Sequence, residues 1–329
     1  MKESITPEKI QKSLLDREIS KEKAAELLIS LVERIDDTEI RVRSINMLQE
    51  LDFFNKTIFN TLENCLISDE SAIVRASIVR YILFNLSEKS VSPLRWVIQH
   101  DKSPIVLKVF FDYSEIFAKN TIFGFILDDL LKWNKQFAFN IGIVPEESQF
   151  FLDLEALFAT GKRNYEIDPL CYTLFENLSD IQNGESWLVI KDKHVEILNL
   201  NYYNWKYIKE NQDIYDSLAR LKSLESYLNS IRKYCYDNFN FTEIPASIGK
   251  LKFLRKLILK GNQLQSLPES IKRLTILTEL DLSYNNFQEI PQIFKTLKSL
   301  KKLNLKHNSI LKISESMHKF VNSLVDFKL

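Results

Sequence analysis

The sequence predicts an α+β multidomain protein in which an N-terminal solenoid of helices precedes a C-terminal solenoid of short parallel strands. Three observations carry this reading. A pattern L-x-x-L-x-L-x-x-N-x-L-x-x-L-P-x-x-I-x-x-L recurs with a period of 23 residues between Leu254 and Phe320. Aspartates followed by a Val-Arg pair recur at 32-residue intervals from Asp37. The 329 residues are 45% apolar with only 6 glycines and 8 prolines, which describes a folded chain without low-complexity segments.

Taken in order, Thr6-Pro7-Glu8 and Ser20-Lys21-Glu22 read as helix starts, a capping hydroxyl followed by proline or an acid in the first turn. Ala24, Leu27, Leu28, Leu31 and Val32 then form an apolar stripe at helical spacing. Asp37-x4-Val42-Arg43, Asp69-x4-Val74-Arg75 and Asp101-x4-Val106-Leu107 imply three further helices. Their aspartates are expected to act as caps and to pair with Arg43 or Arg75 in a stacked ladder, while Met47, Leu51, Val79 and Leu83 fill the core. The third copy lacks the arginine and has Pro104 in its first turn, which marks an end of the array. An acid before a helix with Val-Arg in its second turn resembles the HEAT-type helical repeat, and the resemblance implies an α-solenoid over residues 1–119.

No repeat is visible across residues 120–186, which read as a helical connector and cap. Ile122 to Trp133 and Glu146 to Phe158 carry helical patterns, the second begun by Pro145-Glu146-Glu147 and lined on one side by Phe150, Phe151, Leu154 and Leu157. Trp187 to Ile190, a turn at Lys191-Asp192-Lys193, and His194 onward form a hairpin pattern suited to covering the open edge of a sheet.

In residues 187–329 the repeats are regular. One copy is Leu254, Leu257, Leu259, Asn262, Leu264, Leu267, Pro268, Ile271 and Leu274; the next is Leu277, Leu280, Leu282, Asn285, Phe287, Ile290, Pro291, Phe294 and Leu297. The third is Leu300, Leu303, Leu305, Asn308, Ile310, Ile313, Met317 and Phe320, with Ser314 where the proline stood. The alternating leucines make a short strand with one apolar side, and Asn262, Asn285 and Asn308 are placed to bond backbone groups of adjacent coils. A degenerate copy runs through Ile231, Tyr234, Tyr236, Phe241, Ile244, Pro245, Ile248 and Leu251, with Phe239 where the asparagine belongs. Val195, Leu198 and Leu200 suggest a first strand, Leu218, Leu221, Leu224 and Leu228 a helical stripe on the convex side, and Leu324, Phe327 and Leu329 a truncated last strand. About five coils are expected, with atypical ends. The pattern resembles the leucine-rich repeat family, specifically the short Leu-Pro type. That type is similar to the repeats of adaptors of small Ras-like GTPases, so the resemblance implies a protein-recognition scaffold.

The formal charge is zero, from 44 basic and 44 acidic residues, but its distribution is uneven. Residues 1–121 carry 17 basic and 19 acidic side chains, residues 121–200 carry 6 and 13, and residues 251–312 carry 12 and 4. The start of the chain does not resemble a signal peptide and no apolar run approaches membrane-spanning length, so a cytoplasmic protein is the default expectation. Cys65, Cys171 and Cys235 and the histidines His100, His194, His307 and His318 are scattered, with neither disulfide-framework nor metal-site spacing. Ala159-Thr160-Gly161-Lys162-Arg163 lacks the first glycine and the hydroxyl residue of a phosphate loop, so no nucleotide or other cofactor is expected. Glu146, Glu147, Asp153 and Glu155 could supply paired carboxylates, but a charged helix start explains them, and an enzyme is not the reading.

The outward-facing strand positions are the candidate site. Adjacent coils place equivalent residues about 4.8 Å apart, giving one row of Lys233, Lys256, Glu279 and Lys302 and a second of Cys235, Ile258, Asp281 and Asn304. A third holds Asp237, Lys260, Ser283 and Lys306, flanked by Asn238, Gly261, Tyr284 and His307. Ile258 and Tyr284 are expected to be exposed anchors within a polar rim. The bland alternative is that Glu279 pairs with Lys256 and Lys302 across the strands and the face is merely solvated. The expected function is that of a non-enzymatic adaptor whose concave face binds a protein with an acidic surface, such as a small Ras-like GTPase or its regulator. The alternative is nucleic acid or anionic lipid on the same basic face, which interruption by acids and the lack of a nucleic-acid motif disfavour. A third possibility is internal: the acidic middle segment masks the basic coils.

Overall fold

In the computed structural model the described residues are 5–85, 87–119, 123–160, 188–200, 241–310 and 312–329. The chain divides into two compact units, Met1–Trp133 with Glu155–Ile167, and Asn134–Leu154 with Asp168–Leu329. No helix among the described residues is long and apolar enough to cross a membrane.

The first unit is helical: α1 (Pro7–Leu15), α2 (Lys21–Arg34), α3 (Thr38–Glu50), α4 (Lys56–Ser68), α5 (Ala72–Phe84), α6 (Val91–His100), α7 (Pro104–Asp112) and α8 (Ser114–Lys119), then the start of α9 (Gly124–Ile141), whose residues from Asn134 on belong to the second unit. The Thr6 and Ser20 side chains cap α1 and α2 by accepting from Lys9 N and Lys23 N. Helices α3, α5 and α7 pack in succession, as do α2, α4 and α6, so the array has two layers. Ala24, Leu28, Ile45, Leu48, Leu62, Val74, Ile78, Leu94, Val106 and Phe110 fill the space between them.

The aspartate–arginine ladder exists, with different members from those the spacing suggested. Asp37 caps α3, its Oδ1 accepting from Ile40 N at 3.0 Å. Asp69 and Asp101 instead close the preceding helices and accept from Ser71 N and Ser103 N at 2.8 Å, leaving Ser71 and Ser103 as the cap residues. Arg41, not Arg43, pairs with Asp69, and Arg75 pairs with Asp101 at 2.8 Å. Helix starts Thr38 and Ala72 are 34 residues apart, whereas Ala72 and Pro104 are 32 apart. Aligning on the aspartates therefore shifts the first copy by two, and the equivalent of Arg75 is Arg41. Arg43 lies on the exposed side of α3 and pairs with Glu8 and Glu39. Arg75 also donates to the Asp69 and Glu70 carbonyls, so it ties the α4–α5 turn to the end of α6. A further pair, Arg95–Asp129, lies at 2.6 Å, and its hydrogen bond holds the Asp129 carboxyl below the usual range. Met47 is only half-buried, while Leu51, Val79 and Leu83 are buried as expected.

The second unit carries one six-stranded sheet in the order β1 (Leu188–Lys191), β2 (His194–Asn199), β3 (Lys256–Ile258), β4 (Glu279–Asp281), β5 (Lys302–Asn304) and β6 (Asp326–Lys328). Strands β2 to β6 are parallel and each belongs to one coil. β1 runs antiparallel to β2 across a two-residue turn in which Asp192 and Lys193 both have positive φ, and it covers the edge of the first coil as expected. After Pro245, Pro268 and Pro291 the chain returns through single 3₁₀ turns at Ala246–Lys250, Glu269–Arg273 and Gln292–Thr296, burying Ile248, Ile271 and Phe294. In the next coil the turn is a helix, α11 (Glu315–Val321), and the following strand pairs one residue out of the 23-residue period, Leu303 with Phe327.

The coil order needs one correction. The strand beside β3 is β2, with Ile197 opposite Lys256, so the degenerate copy supplies no strand between them. Asn262 bonds both the Leu200 carbonyl and Phe241 N, as Asn285 bonds Leu259 and Leu264. Leu200 and Phe241 are therefore the two sides of one coil, 41 positions apart where Leu259 and Leu264 are five apart. The first coil carries 36 additional residues. Leu218 to Leu228, Lys233, Cys235 and Asp237 to Asn240 lie outside the described residues.

The remaining helix, α10 (Pro145–Thr160), begins under this first coil. Glu147 is buried and accepts from Val195 N and His194 Nδ1, both at 2.9 Å. Asp153 accepts from Ser247 Oγ at 2.5 Å, and Lys250 reaches Gln149. Burial pushes the Lys250 ammonium down, Arg273 adding to this and Asp153 opposing it. Residues 134–154 are thus hydrogen-bonded to the first coil of the repeat stack.

Candidate functional site

Parallel pairing in register turns each outward-facing strand position into a row across the coils. The first row reads Ile197, Lys256, Glu279, Lys302 and Asp326, and the second Asn199, Ile258, Asp281, Asn304 and Lys328. The backbone ladder continues past the strand ends, from Gly261 N to Ser283 O at 2.9 Å and from Tyr284 N to Lys306 O at 2.8 Å. Lys260, Ser283 and Lys306 are thereby held in a third row, with Gly261, Tyr284 and His307 beside them.

The structure brings together ten of the eleven expected site residues, Lys233 being outside the described residues. Their roles differ. Glu279 lies between Lys256 and Lys302, 3.4 Å and 3.8 Å away, so the first row neutralises itself in part. The Asp281 carboxylate accepts from Ser283 N and Oγ at 2.9 and 2.6 Å and from Asn304 Nδ2 at 3.1 Å. It is occupied within the protein. Ile258 is 7% exposed and belongs to the core, contrary to its expected part as an anchor. A branched side chain in a middle strand is enclosed by its in-register neighbours, here Asn199 and Asp281.

Tyr284 is exposed as expected, at 41%. Its ring stacks on His307 with centroids 4.0 Å apart and planes 24° from parallel, and the Lys260 ammonium lies 5.4 Å from its centre. These aromatics occupy a particular backbone position. Gly261, Tyr284 and His307 each precede a ladder asparagine and have φ of 77°, 57° and 59°. Glycine takes the left-handed conformation without penalty, whereas an L side chain there costs on the order of 1–2 kcal/mol. Two coils accept that cost and place a ring where the Gly261 coil has none.

The asparagines behind the face form a continuous spine. Each accepts from the amide two positions into the preceding coil's return, and donates to carbonyls on both sides. Sequence reasoning missed Ile197, Asn199, Asp326 and Lys328 as row members. The first pair was hidden by the 36 additional residues and the second by the one-residue shift of the last coil. Among the described residues, no group of three or more His, Cys, Asp or Glu side chains is placed to hold a metal.

Parallel strands, 3₁₀ returns and an asparagine spine thus recur at a fixed period in this part of the chain. Residues 195–328 match the family described as leucine-rich repeat region. Among solved structures, a leucine-rich repeat protein of Leptospira interrogans is 38% identical over 26% of this chain and 22% of that chain, with a TM-score of 0.25. The aligned part is thus under a quarter of that protein. No curated protein matches.

Proposed function

We propose that the chain is a non-enzymatic adaptor whose leucine-rich concave face binds a partner protein through an acidic surface. Leucine-rich repeat regions generally mediate protein–protein interaction. The observation that supports a binding face here is the exposed Tyr284–His307 stack among Lys260, Lys302 and Lys306, held in a strained backbone position. A central aromatic within a polar, basic rim suits a protein interface. The two-layered helical unit, with its Arg41–Asp69 and Arg75–Asp101 pairs, supports a HEAT-like array offering a second binding surface, and two sites on one chain give avidity where geometry permits. A small Ras-like GTPase or its regulator is the partner class that the short Leu-Pro type of repeat favours, by analogy alone. Cytoplasmic location is part of the same proposal.

The test is capture from source-cell extract at two salt concentrations by the wild-type chain and by Lys256→Glu, Lys260→Glu, Lys302→Glu, Lys306→Glu, with circular dichroism confirming that the variant folds. The expected result is an acidic protein captured by the wild type and lost by the variant. Equal capture by both would remove the concave face from the function. Recovery of nucleic acid or lipid with a steep salt dependence would favour the alternative reading.

A further inference from the structure

The two edges of the sheet differ. At the first coil β1 folds back over β2, whereas β6 at the other end has β5 as its sole neighbour among the described residues. Asp326 N donates to the Lys301 carbonyl at 3.0 Å and the Lys328 carbonyl accepts from Leu305 N at 2.7 Å, so both residues turn main-chain groups toward β5. Successive strand residues point their N–H and C=O to opposite sides, which turns those of Phe327 outward. Phe327 therefore presents a donor and an acceptor at the open edge. Its side chain is opposite Leu303, and by alternation Val325 and Leu329 stand on the same side of the strand. Both are uncovered, Val325 being 79% and Leu329 46% exposed.

A short edge strand carrying a lysine ordinarily resists pairing. Here the stretch Val325-Asp326-Phe327-Lys328-Leu329 is complementary to its own reverse. A two-fold axis perpendicular to the sheet keeps every side chain on its own face, so within this strand it can set only residue 326, 327 or 328 opposite its own copy. Centring on 326 opposes two aspartates and centring on 328 opposes two lysines, both unfavourable. Centring on Phe327 sets Asp326 of each copy opposite Lys328 of the other, and Val325 of each opposite Leu329 of the other. It also makes Phe327 the hydrogen-bonded pair, each copy's N–H donating to the other's carbonyl. Asp326 and Lys328 already pair along the strand at 3.2 Å with exposed side chains, so the dimer closes a square of four charges in which every neighbour has the opposite sign. From this we infer that β6 pairs antiparallel with β6 of a second copy of this chain, continuing the sheet across a two-fold axis at Phe327. Charge complementarity chooses this occupant, and the apolar pairs at 325 and 329 cover side chains that one copy leaves in water.

Sedimentation velocity of the full chain from about 1 µM to about 300 µM tests it, because a dimer's share rises with protomer concentration. The expected result for the wild type is a monomer–dimer equilibrium. Asp326→Lys sets lysine against lysine and Lys328→Asp sets aspartate against aspartate, so each variant alone should dimerise about ten-fold more weakly. An equimolar mixture of the two should regain dimers of wild-type strength, since each lysine then faces an aspartate, and the chain carrying both exchanges should do so alone. Circular dichroism shows that each variant folds. A wild type that stays monomeric throughout, dimers that neither reversal weakens, or a folded mixture that does not recover would overturn the proposal. Species growing beyond a dimer with concentration would mean head-to-tail association and overturn it equally.

Discussion

Asn285→Ala should destabilise the repeat unit by about 1–3 kcal/mol, and the reasoning gives an order among the three spine asparagines. The Asn285 side chain is 5% exposed, accepts from Leu264 N at 3.0 Å, and donates to the Leu259 and Leu282 carbonyls at 2.9 and 3.0 Å. Truncation does not orphan all three. The Leu259 carbonyl keeps a bond from Asn262 and the Leu282 carbonyl one from Asn308, so only the Leu264 amide loses its partner. Asn262→Ala is worse: it strips Phe241 N, and also the Leu200 carbonyl, for which Asn262 is the only partner among the described residues. Asn308→Ala frees the Phe287 amide and the Leu305 carbonyl but is milder, since Asn308 itself is half-buried. The expected order of loss is Asn262, then Asn285, then Asn308. Urea unfolding of the full chain gives the size, and native-state hydrogen exchange at the amides of Phe241, Leu264 and Phe287 locates it. Equal losses at 262 and 308, or a loss below about 0.5 kcal/mol at 285, would refute the argument that unpaired buried groups set the cost.

Gly249→Ala should cost about 1–3 kcal/mol, because an added Cβ would sit 2.6 Å from the Ser270 carbonyl oxygen and 2.8 Å from Ser270 Cβ, pushing two coils apart; thermal unfolding checks it. Arg75→Met should lower the stability of the helical unit by about 3–5 kcal/mol by leaving Asp101 buried without its cation. Adding Asp101→Asn, which still accepts from Ser103 N, should recover part of that loss in the same urea assay. The Arg95 hydrogen bond lowers the Asp129 pKa in the folded state below its ordinary 3.8. Its contribution is therefore complete above that value and is lost as pH falls below it and through the lower folded pKa. Circular dichroism melts from about pH 5 to about pH 3 should show a steeper decline for wild type than for Asp129→Asn.

What the sequence disclosed and what it concealed divide along a physical line. Leu257, Leu280 and Leu303 share one interior and Asn262, Asn285 and Asn308 one spine, so each copy reports on the next and the period identifies the coils. Where the period breaks, alignment by residue type fails. Phe241 to Leu251 looked like the second half of a complete coil because its apolar positions keep the 23-residue phase, yet its strand is β2. In the helical unit the aspartates were the conspicuous residues, but the helices start 34 and then 32 residues apart, so the arginine partner moved from 43 to 41. Ile258 shows a different limit. Alternation assigns its side of the sheet correctly, whereas its exposure depends on how neighbouring side chains close over it.

The same pairing determines which charges meet along a row. Positions 23 apart become neighbours, so the sign of charge along a row decides whether it is spent within the protein. At 256, 279 and 302 the signs alternate, and Glu279 is within 4 Å of both lysines. At 258, 281 and 304 the only charge is Asp281, already bonded to Ser283 and Asn304. At 260, 283 and 306 two cations flank a hydroxyl. The excess of 12 basic over 4 acidic residues in 251–312 therefore overstates the field that a ligand meets on the concave face. Half-exposed pairs such as Lys256–Glu279 contribute little to stability and hold their lysines at home.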